Sequence, residues 1–156
     1  MKKLYTLLFF VLFNFLTIFS VNAQCTQPTI QASAFTCLQV KGYSMTIGWT
    51  RGNGNRVLVV ARAGSNVDAN PTSGTAYTYD AVYGAGAQIG TVNYVVYRGI
   101  GSSATVTGLS LNTTYYFKIY ELLDASICYK TPPLTGNVTT LATCSPTVQA
   151  STFGSP

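Results

Sequence analysis

Ser44-Met45-Thr46-Ile47-Gly48-Trp49-Thr50 decides the fold class. Met45, Ile47 and Trp49 fall on one parity, and Ser44, Thr46 and Gly48 on the other. A period of two puts the apolar set on one face of a strand. Arg51-Gly52-Asn53-Gly54-Asn55 follows, and Gly and Asn adopt positive φ cheaply, so a turn is predicted there. Val57–Arg62 is apolar at nearly every position, which predicts a strand covered on both faces.

Outward from this pair the same grammar continues. Pro28–Phe35 is predicted as the first strand, with proline at its start, where a missing donor is tolerated. Ala63–Gly101 is long and irregular, with turn clusters at 70–74 and 84–86 and predicted strands at Thr75–Tyr79 and Asn93–Arg98. Ser103–Leu109 is another strand. Thr114–Leu122 alternates, with Tyr115, Phe117 and Ile119 inward and Tyr116, Lys118 and Tyr120 outward. Residues 124–134 form a loop holding Cys128 and two prolines, and Gly136–Leu141 closes the series. Roughly seven to nine short strands without helical periodicity predict an all-β antiparallel sandwich.

The ends of the chain read differently. Lys2 and Lys3 precede an apolar run, Leu4–Phe19, and Val21-Asn22-Ala23 offers small residues before Gln24. That is the layout of a cleavable, helical secretory signal peptide over 1–23. The run is shorter than the roughly 20 residues a membrane span needs. The leader is thus the predicted membrane contact before cleavage, and the mature chain is secreted or displayed at the outer cell surface. Near the other end, Cys144-Ser145-Pro146-Thr147-Val148-Gln149-Ala150-Ser151 repeats Cys25 and Pro28-Thr29-Ile30-Gln31-Ala32-Ser33. The repeat sets one module over 25–143 and predicts that 144–156 opens a second, truncated copy.

Composition narrows the chemistry. Charged residues make up only 8% of the chain, and histidine is absent. Without histidine, no Ser-His-Asp or Cys-His arrangement is available. The basic residues beyond the leader, Lys41, Arg51, Arg56, Arg62, Arg98, Lys118 and Lys130, form no stripe of the kind nucleic acid requires. The carboxylates are Asp68, Asp80, Glu121 and Asp124. Glu121 and Asp124 are neighbours in sequence, but one ends a strand and the other sits in a loop, so a glycosidase pair is not predicted. Asp68, Asp80 and Asp124 include no Asp-x-Asp run of the sort that gathers calcium. Gly84-Ala85-Gly86-Ala87-Gln88-Ile89-Gly90 superficially echoes a dinucleotide fingerprint but lacks its strand-turn-helix setting, and reads as a turn. Asn112-Thr113-Thr114 and Asn137-Val138-Thr139 match glycosylation sequons, and read as turn and strand chemistry. No cofactor, metal site or catalytic residue is predicted.

Two features remain. The four cysteines, Cys25, Cys37, Cys128 and Cys144, all follow the leader, so disulfides are expected, with three connectivities open. Tyrosine is enriched, at Tyr77, Tyr79, Tyr83, Tyr94, Tyr97, Tyr116 and Tyr120 among others. Outward tyrosines stack on sugars or anchor protein partners, but these are expected mainly to cover the sandwich edges around 64–101.

Ser44–Trp49 resembles the second strand of a fibronectin type III domain, whose tryptophan packs in the core. Leu109-Ser110-Leu111-Asn112-Thr113-Thr114-Tyr115 resembles the stretch before that fold's sixth strand, with Leu111 where proline is usual and Asn112 where glycine is usual. The resemblance implies a fibronectin type III-like, immunoglobulin-like sandwich with an enlarged insertion around 64–101. It makes Trp49, Tyr115, Phe117 and Ile119 its structural core, with Tyr115 as a tyrosine corner whose hydroxyl bonds upstream backbone. Trp49–Gly54, Arg56–Arg62, Asn93–Tyr97 and Thr113–Phe117, in this order, are similar to modules repeated in large secreted bacterial surface proteins, many of them exported by type IX secretion. In that fold the N-terminus and the loop before the last strand share one pole, which implies a Cys25–Cys128 disulfide. The first loop and the C-terminus share the other pole, which implies Cys37–Cys144. The function so implied is a non-catalytic structural or adhesive module, spacer or weak binding domain, with further modules and a surface protein or glycan as partners. The alternative is a carbohydrate-binding accessory module of a secreted hydrolase.

Overall fold

The computed structural model describes residues 25–142. The leader at 1–23, the second copy at 144–156 and any pairing of Cys144 lie outside the described residues.

Eight strands form two antiparallel sheets: β1 (Ser33–Val40), β2 (Ser44–Thr50), β3 (Arg56–Ala63), β4 (Tyr94–Gly99), β5 (Ser103–Thr107), β6 (Thr114–Leu123), β7 (Cys128–Tyr129) and β8 (Leu134–Thr139). One sheet has the order β1-β2-β5. The other runs β4-β3-β6, with β6 paired to β8 along Thr114–Ile119 and to β7 at Leu122 and Leu123.

The alternation of β2 and β6 builds the core between the sheets. Met45, Ile47 and Trp49 meet Val57, Val59, Ala61, Val96, Val106, Tyr115, Phe117 and Ile119, all nearly inaccessible. Each fully buried aliphatic side chain contributes about 1.5–3 kcal/mol of hydrophobic stabilisation. The unbroken apolar run of β3 has its cause in a second cluster. Leu58 and Val60 face away from the first core and pack with Val95, Tyr120, Leu122 and Tyr129, covered by Val67 and Ile89.

That cover comes from the irregular segment 64–93 between β3 and β4. The insertion is shorter than the predicted 64–101, because β4 belongs to the main sheet. It corrects two readings. Tyr120 is fully buried rather than outward, since the outer face of β6 is roofed over. Thr75–Tyr79 is not a strand: its backbone finds no ladder, and Tyr77 is held by its hydroxyl, which accepts the Thr72 N–H at 3.0 Å.

The insertion also closes one side of the sandwich. Asp80 N–H donates to Val95 O at 3.2 Å and Val95 N–H to Ala87 O at 2.9 Å, along the outer edge of β4. On the other sheet, Thr107 N–H donates to Ala81 O at 2.8 Å and Tyr83 N–H to Thr107 O at 2.9 Å, along the edge of β5. One segment therefore satisfies two sheet edges that would otherwise offer unpaired backbone to another chain. Glycine at position 86 is required, since a Cβ there would collide with Val95 O.

The first strand begins at Ser33 rather than Pro28. Side chains, not a ladder, hold the preceding residues. Asn53 Oδ1 accepts Ile30 N–H at 2.8 Å, and Gln31 Nε2 donates to Lys130 O and Pro132 O at 2.9 and 2.8 Å. The last strand likewise shifts from the predicted Gly136–Leu141 to Leu134–Thr139.

The two ends of the described chain lie at opposite poles. Residues 25–31 sit with the 51–55 turn, Ile100 and the 124–133 connection. Leu141 sits with Lys41 and the 108–113 turn, donating to Lys41 O at 3.3 Å and accepting from Asn112 N–H at 3.2 Å.

Candidate functional site

The most elaborate polar cluster is at the pole where the described chain begins, and it centres on Glu121. On β6, Glu121 continues the inward phase of Tyr115, Phe117 and Ile119, so its side chain is driven into the sandwich and is fully buried. A buried carboxylate must be paired and hydrogen-bonded. Arg51 answers it from the same inward phase of β2, one step past Trp49. Arg51 Nε donates to Glu121 Oε1 at 2.8 Å and Nη2 to Oε2 at 2.9 Å, a bidentate pair. Gly52 N–H adds a third donor to Oε1 at 2.7 Å.

The same two residues tie the pole together. Arg51 also donates to Gly54 O and Ile100 O. Glu121 N–H donates to Gln31 Oε1 at 2.9 Å, and Glu121 O accepts Lys130 N–H at 2.7 Å. The 51–55 turn, the β4–β5 connection, the entry segment and the loop before β8 all meet at one ion pair.

Beside it, Asp124 is shared by Arg56 and Arg98, and its N–H donates to Asn55 Oδ1 at 2.9 Å. Asp68 pairs with Arg62 and accepts from Asn93 Nδ2 at 2.8 Å. The Asn93 amide first, and Arg62 second, hold its carboxyl below the ordinary range. Asp80 Oδ1 accepts Val82 N–H at 2.8 Å. Each of the four carboxylates is thus engaged within the fold. Glu121 and Asp124 do not converge on a common cleft, and each answers to its own arginines. Among the described residues, no group of three His, Cys, Asp or Glu side chains is placed to hold a metal ion.

The residues singled out in the sequence have these places. Trp49 is buried, edge-on to Tyr97 at 5.8 Å, and its indole N–H has no acceptor among the described residues. The Tyr115 hydroxyl accepts Ser110 N–H at 2.9 Å, five residues upstream. Phe117 packs on Phe35 at 6.0 Å, and Ile119 is wholly buried. Cys25 and Cys128 form a disulfide with Cα atoms 5.5 Å apart, and Cys37 is exposed on β1 with no disulfide partner among the described residues.

The tyrosines are mostly absorbed in packing. Tyr83 lies edge-on to Tyr94 and Tyr115 at 5.2 and 5.0 Å, and Tyr129 packs against Tyr77 and Tyr120. Burial pushes the Tyr129 phenol up to about 12 and raises those of Tyr83 and Tyr120 as well. Tyr43 and Tyr79 are more than half exposed, but Tyr43 adjoins Leu109 at one pole while Tyr79 leans on Tyr97, whose hydroxyl accepts Gly101 N–H near the other. They do not form one flat face. An open depression of about 450 Å³, lined by residues including Asn66, Tyr116, Lys118 and Asn137, lies against β6 and β8.

Sequence reasoning missed the Arg51–Glu121 pair. Its signal was present: Glu121 occupies the inward parity of β6, and Arg51 the inward parity of β2.

No protein-family model matches the chain, and no curated protein does. Solved structures do. The solution structure of a fourth FNIII domain, from human, is similar with a TM-score of 0.53 at 14% identity, covering 83% of this chain and 93% of that one. A computationally redesigned β-sandwich protein gives 0.50 at 16% identity, covering 80% of this chain and 99% of that one. FN3tt gives 0.50 at 13% identity, covering 76% and 99%. The fold is that of a fibronectin type III-like sandwich, and at these identities the likeness is one of fold alone.

Proposed function

We propose that this chain is an exported, non-catalytic structural module of a larger secreted or cell-surface protein, acting as a rigid spacer that holds the module following it away from its entry pole. The observation that carries this reading is the entry and exit of the described chain at opposite poles of the sandwich. Acid–base catalysis needs a group free to exchange a proton with a substrate. Here Glu121 is sealed, and Asp68 and Asp124 are held by arginines.

Two further features support the reading. Exposed apolar side chains, Tyr43 and Leu141, sit at the exit pole, where the following module would cover them. The recurrence of Pro28–Ser33 at Pro146–Ser151 supports a neighbour of the same kind. The dispersed tyrosines weigh against a sugar-binding platform.

Expression of the full chain in a bacterial host tests this. Export with a mature N-terminus at Gln24, no turnover across a glycosidase and protease substrate panel, and no heat of binding with cello- and chito-oligosaccharides are the expected results. Retention of the leader, measurable turnover, or micromolar oligosaccharide binding would overturn it.

A further inference from the structure

Of the long sheet edges in this sandwich, those of β4 and β5 are covered by the 80–87 segment. The edge of β1 is broken by two register shifts against β2, between Ser33 and Thr36 and between Cys37 and Gln39, and Ala34 sits at a φ of 51°. Such bulges turn an edge away from a second chain. β8 is different. It pairs with β6 from Thr114↔Thr139 to Ile119↔Leu134 without a shift, and no proline or charged side chain lies within Leu134–Thr139.

The ladder fixes which backbone groups of β8 are free. Thr140 N–H donates to Thr113 O at 3.0 Å, whereas Thr114 O accepts Gly64 N–H at 2.8 Å on the β3 side. Facing residues of an antiparallel pair alternate between bonded and unbonded, so Leu134, Gly136 and Val138 turn N–H and C=O toward β6. Thr135, Asn137 and Thr139 turn theirs outward, and these groups find no partner among the described residues. The side chains agree. Leu134 and Val138 pack on the core between the sheets and Gly136 lies under the Phe35 ring, while Thr135, Asn137 and Thr139 are exposed.

We infer that two copies of this chain associate side by side through β8, antiparallel, about a two-fold axis at Asn137. The free groups are placed symmetrically about that residue, as an isologous contact requires. In this register Asn137 faces its own counterpart, and Thr135 faces Thr139 of the second copy. Each of these pairs exchanges two backbone hydrogen bonds. Facing threonines are a favourable cross-strand pair, and no like charges meet. Lys118, the register partner of Thr135, comes to lie near the Thr114–Thr139 pair of the second copy, and its ammonium is already held by Asn70 Oδ1 at 3.0 Å. So short an edge buries far less than the roughly 1,200 Å² of a stable interface, and the association is therefore weak and reversed by dilution. The contact lies along the flank and leaves both poles free, so the inference does not depend on the spacer reading.

Sedimentation velocity of the mature chain, residues 24–156, from about 10 µM to about 1 mM tests this. The weight-average mass should climb toward twice the monomer value and fall back on dilution. Asn137→Lys and Asn137→Glu should each stay monomeric, because the axis sets like charges directly opposite one another. An equimolar mixture of the two should associate again, since lysine then faces glutamate. Asn137→Pro removes one outward N–H and spares the ladder to β6, so it should be monomeric with a melting temperature close to the parent's. Amide exchange at Thr135, Asn137 and Thr139 in the parent should slow as concentration rises. A parent that is monomeric at about 1 mM, charge variants that associate as the parent does, a mixture that stays monomeric, or exchange at those three amides that ignores concentration would each overturn the inference.

Discussion

Arg51 and Glu121 form a bidentate ion pair in which the carboxylate is wholly buried and the guanidinium is about one-fifth exposed, 21% for its side chain. Glu121 lies on β6 of one sheet, and Arg51 directly follows β2 of the other. The pair is therefore a polar rivet through the sandwich, placed where the hydrophobic layer gives way to the loops of the entry pole.

Breaking this rivet on one side should cost more than removing it. Arg51→Met leaves a buried carboxylate with no counter-charge, and such a change costs about 3–5 kcal/mol. Arg51→Met combined with Glu121→Leu should cost much less than the two single changes added together, because no orphaned charge remains. Guanidinium unfolding of the four proteins checks this. Single variants within about 1 kcal/mol of the parent would show the pair to be solvated.

Loss of the disulfide acts mainly through the unfolded chain. Closing a loop of this length is worth about 4–5 kcal/mol in loop-closure entropy. Cys25→Ser with Cys128→Ser should lose a similar amount by chemical denaturation, while the wild type should fall to the same stability in reductant. A loss below about 1 kcal/mol would mean that the unfolded chain is already constrained without the bond.

The roof over the outer face of β3 and β6 makes a prediction at high pH. Tyr129 is raised from an ordinary value of 10.0 to about 12 by burial, and Tyr120 and Tyr83 are raised by the same cause. A phenol whose folded pKa exceeds its unfolded one leaves stability untouched well below pH 10, with the loss beginning at about pH 9. Above that the unfolded state ionises first, and stability falls as pH rises toward 12. Unfolding free energies at pH 7, 8.5 and 11.5 should be level between the first two for these groups and lower at the third. Tyrosinate absorbance should rise late for part of the tyrosine population and jump on unfolding.

Gly86→Val should strip the cover from two sheet edges. Any side chain at position 86 meets Val95 O, so the segment that pairs with both Val95 and Thr107 must lift away. Exposed edge backbone recruits other chains. Light scattering at raised concentration should show association of Gly86→Val under conditions in which the parent stays monomeric. A monomeric variant with unchanged amide exchange at Val95 and Thr107 would contradict the edge-sealing role.

The parts of the fold legible in the sequence are those written in parity. Ser44–Thr50, Val57–Arg62 and Thr114–Leu122 each show their strand and inward face directly, because burial on one face selects alternate residues and burial on both selects all of them. Parity does not say whether an outer face is later covered, and for that reason Tyr120 reads as exposed in sequence and is buried in the structure. The 64–93 segment has no period because side-chain bonds and isolated backbone bridges hold it, not a ladder. The Pro28–Ala32 stretch reads as strand for the same reason: its Gln31 and Asn53 tethers come from residues distant in sequence. The polar cluster of the entry pole needed sheet register as well as parity, since only register shows that Arg51 and Glu121 arrive at the same end.

The most direct test of the spacer reading is the distance between the two ends of the sandwich. Bioorthogonal spin labels at Thr26 and Ala142 in the exported chain, read by double electron–electron resonance, report it without disturbing the native cysteines. Ends at opposite poles, separated by about the length of the ten-residue β6, should give one narrow distribution on the order of 30–40 Å. A distribution centred below about 20 Å, less than the rise of even a seven-residue strand such as β2, would place entry and exit at the same pole and contradict the spacer.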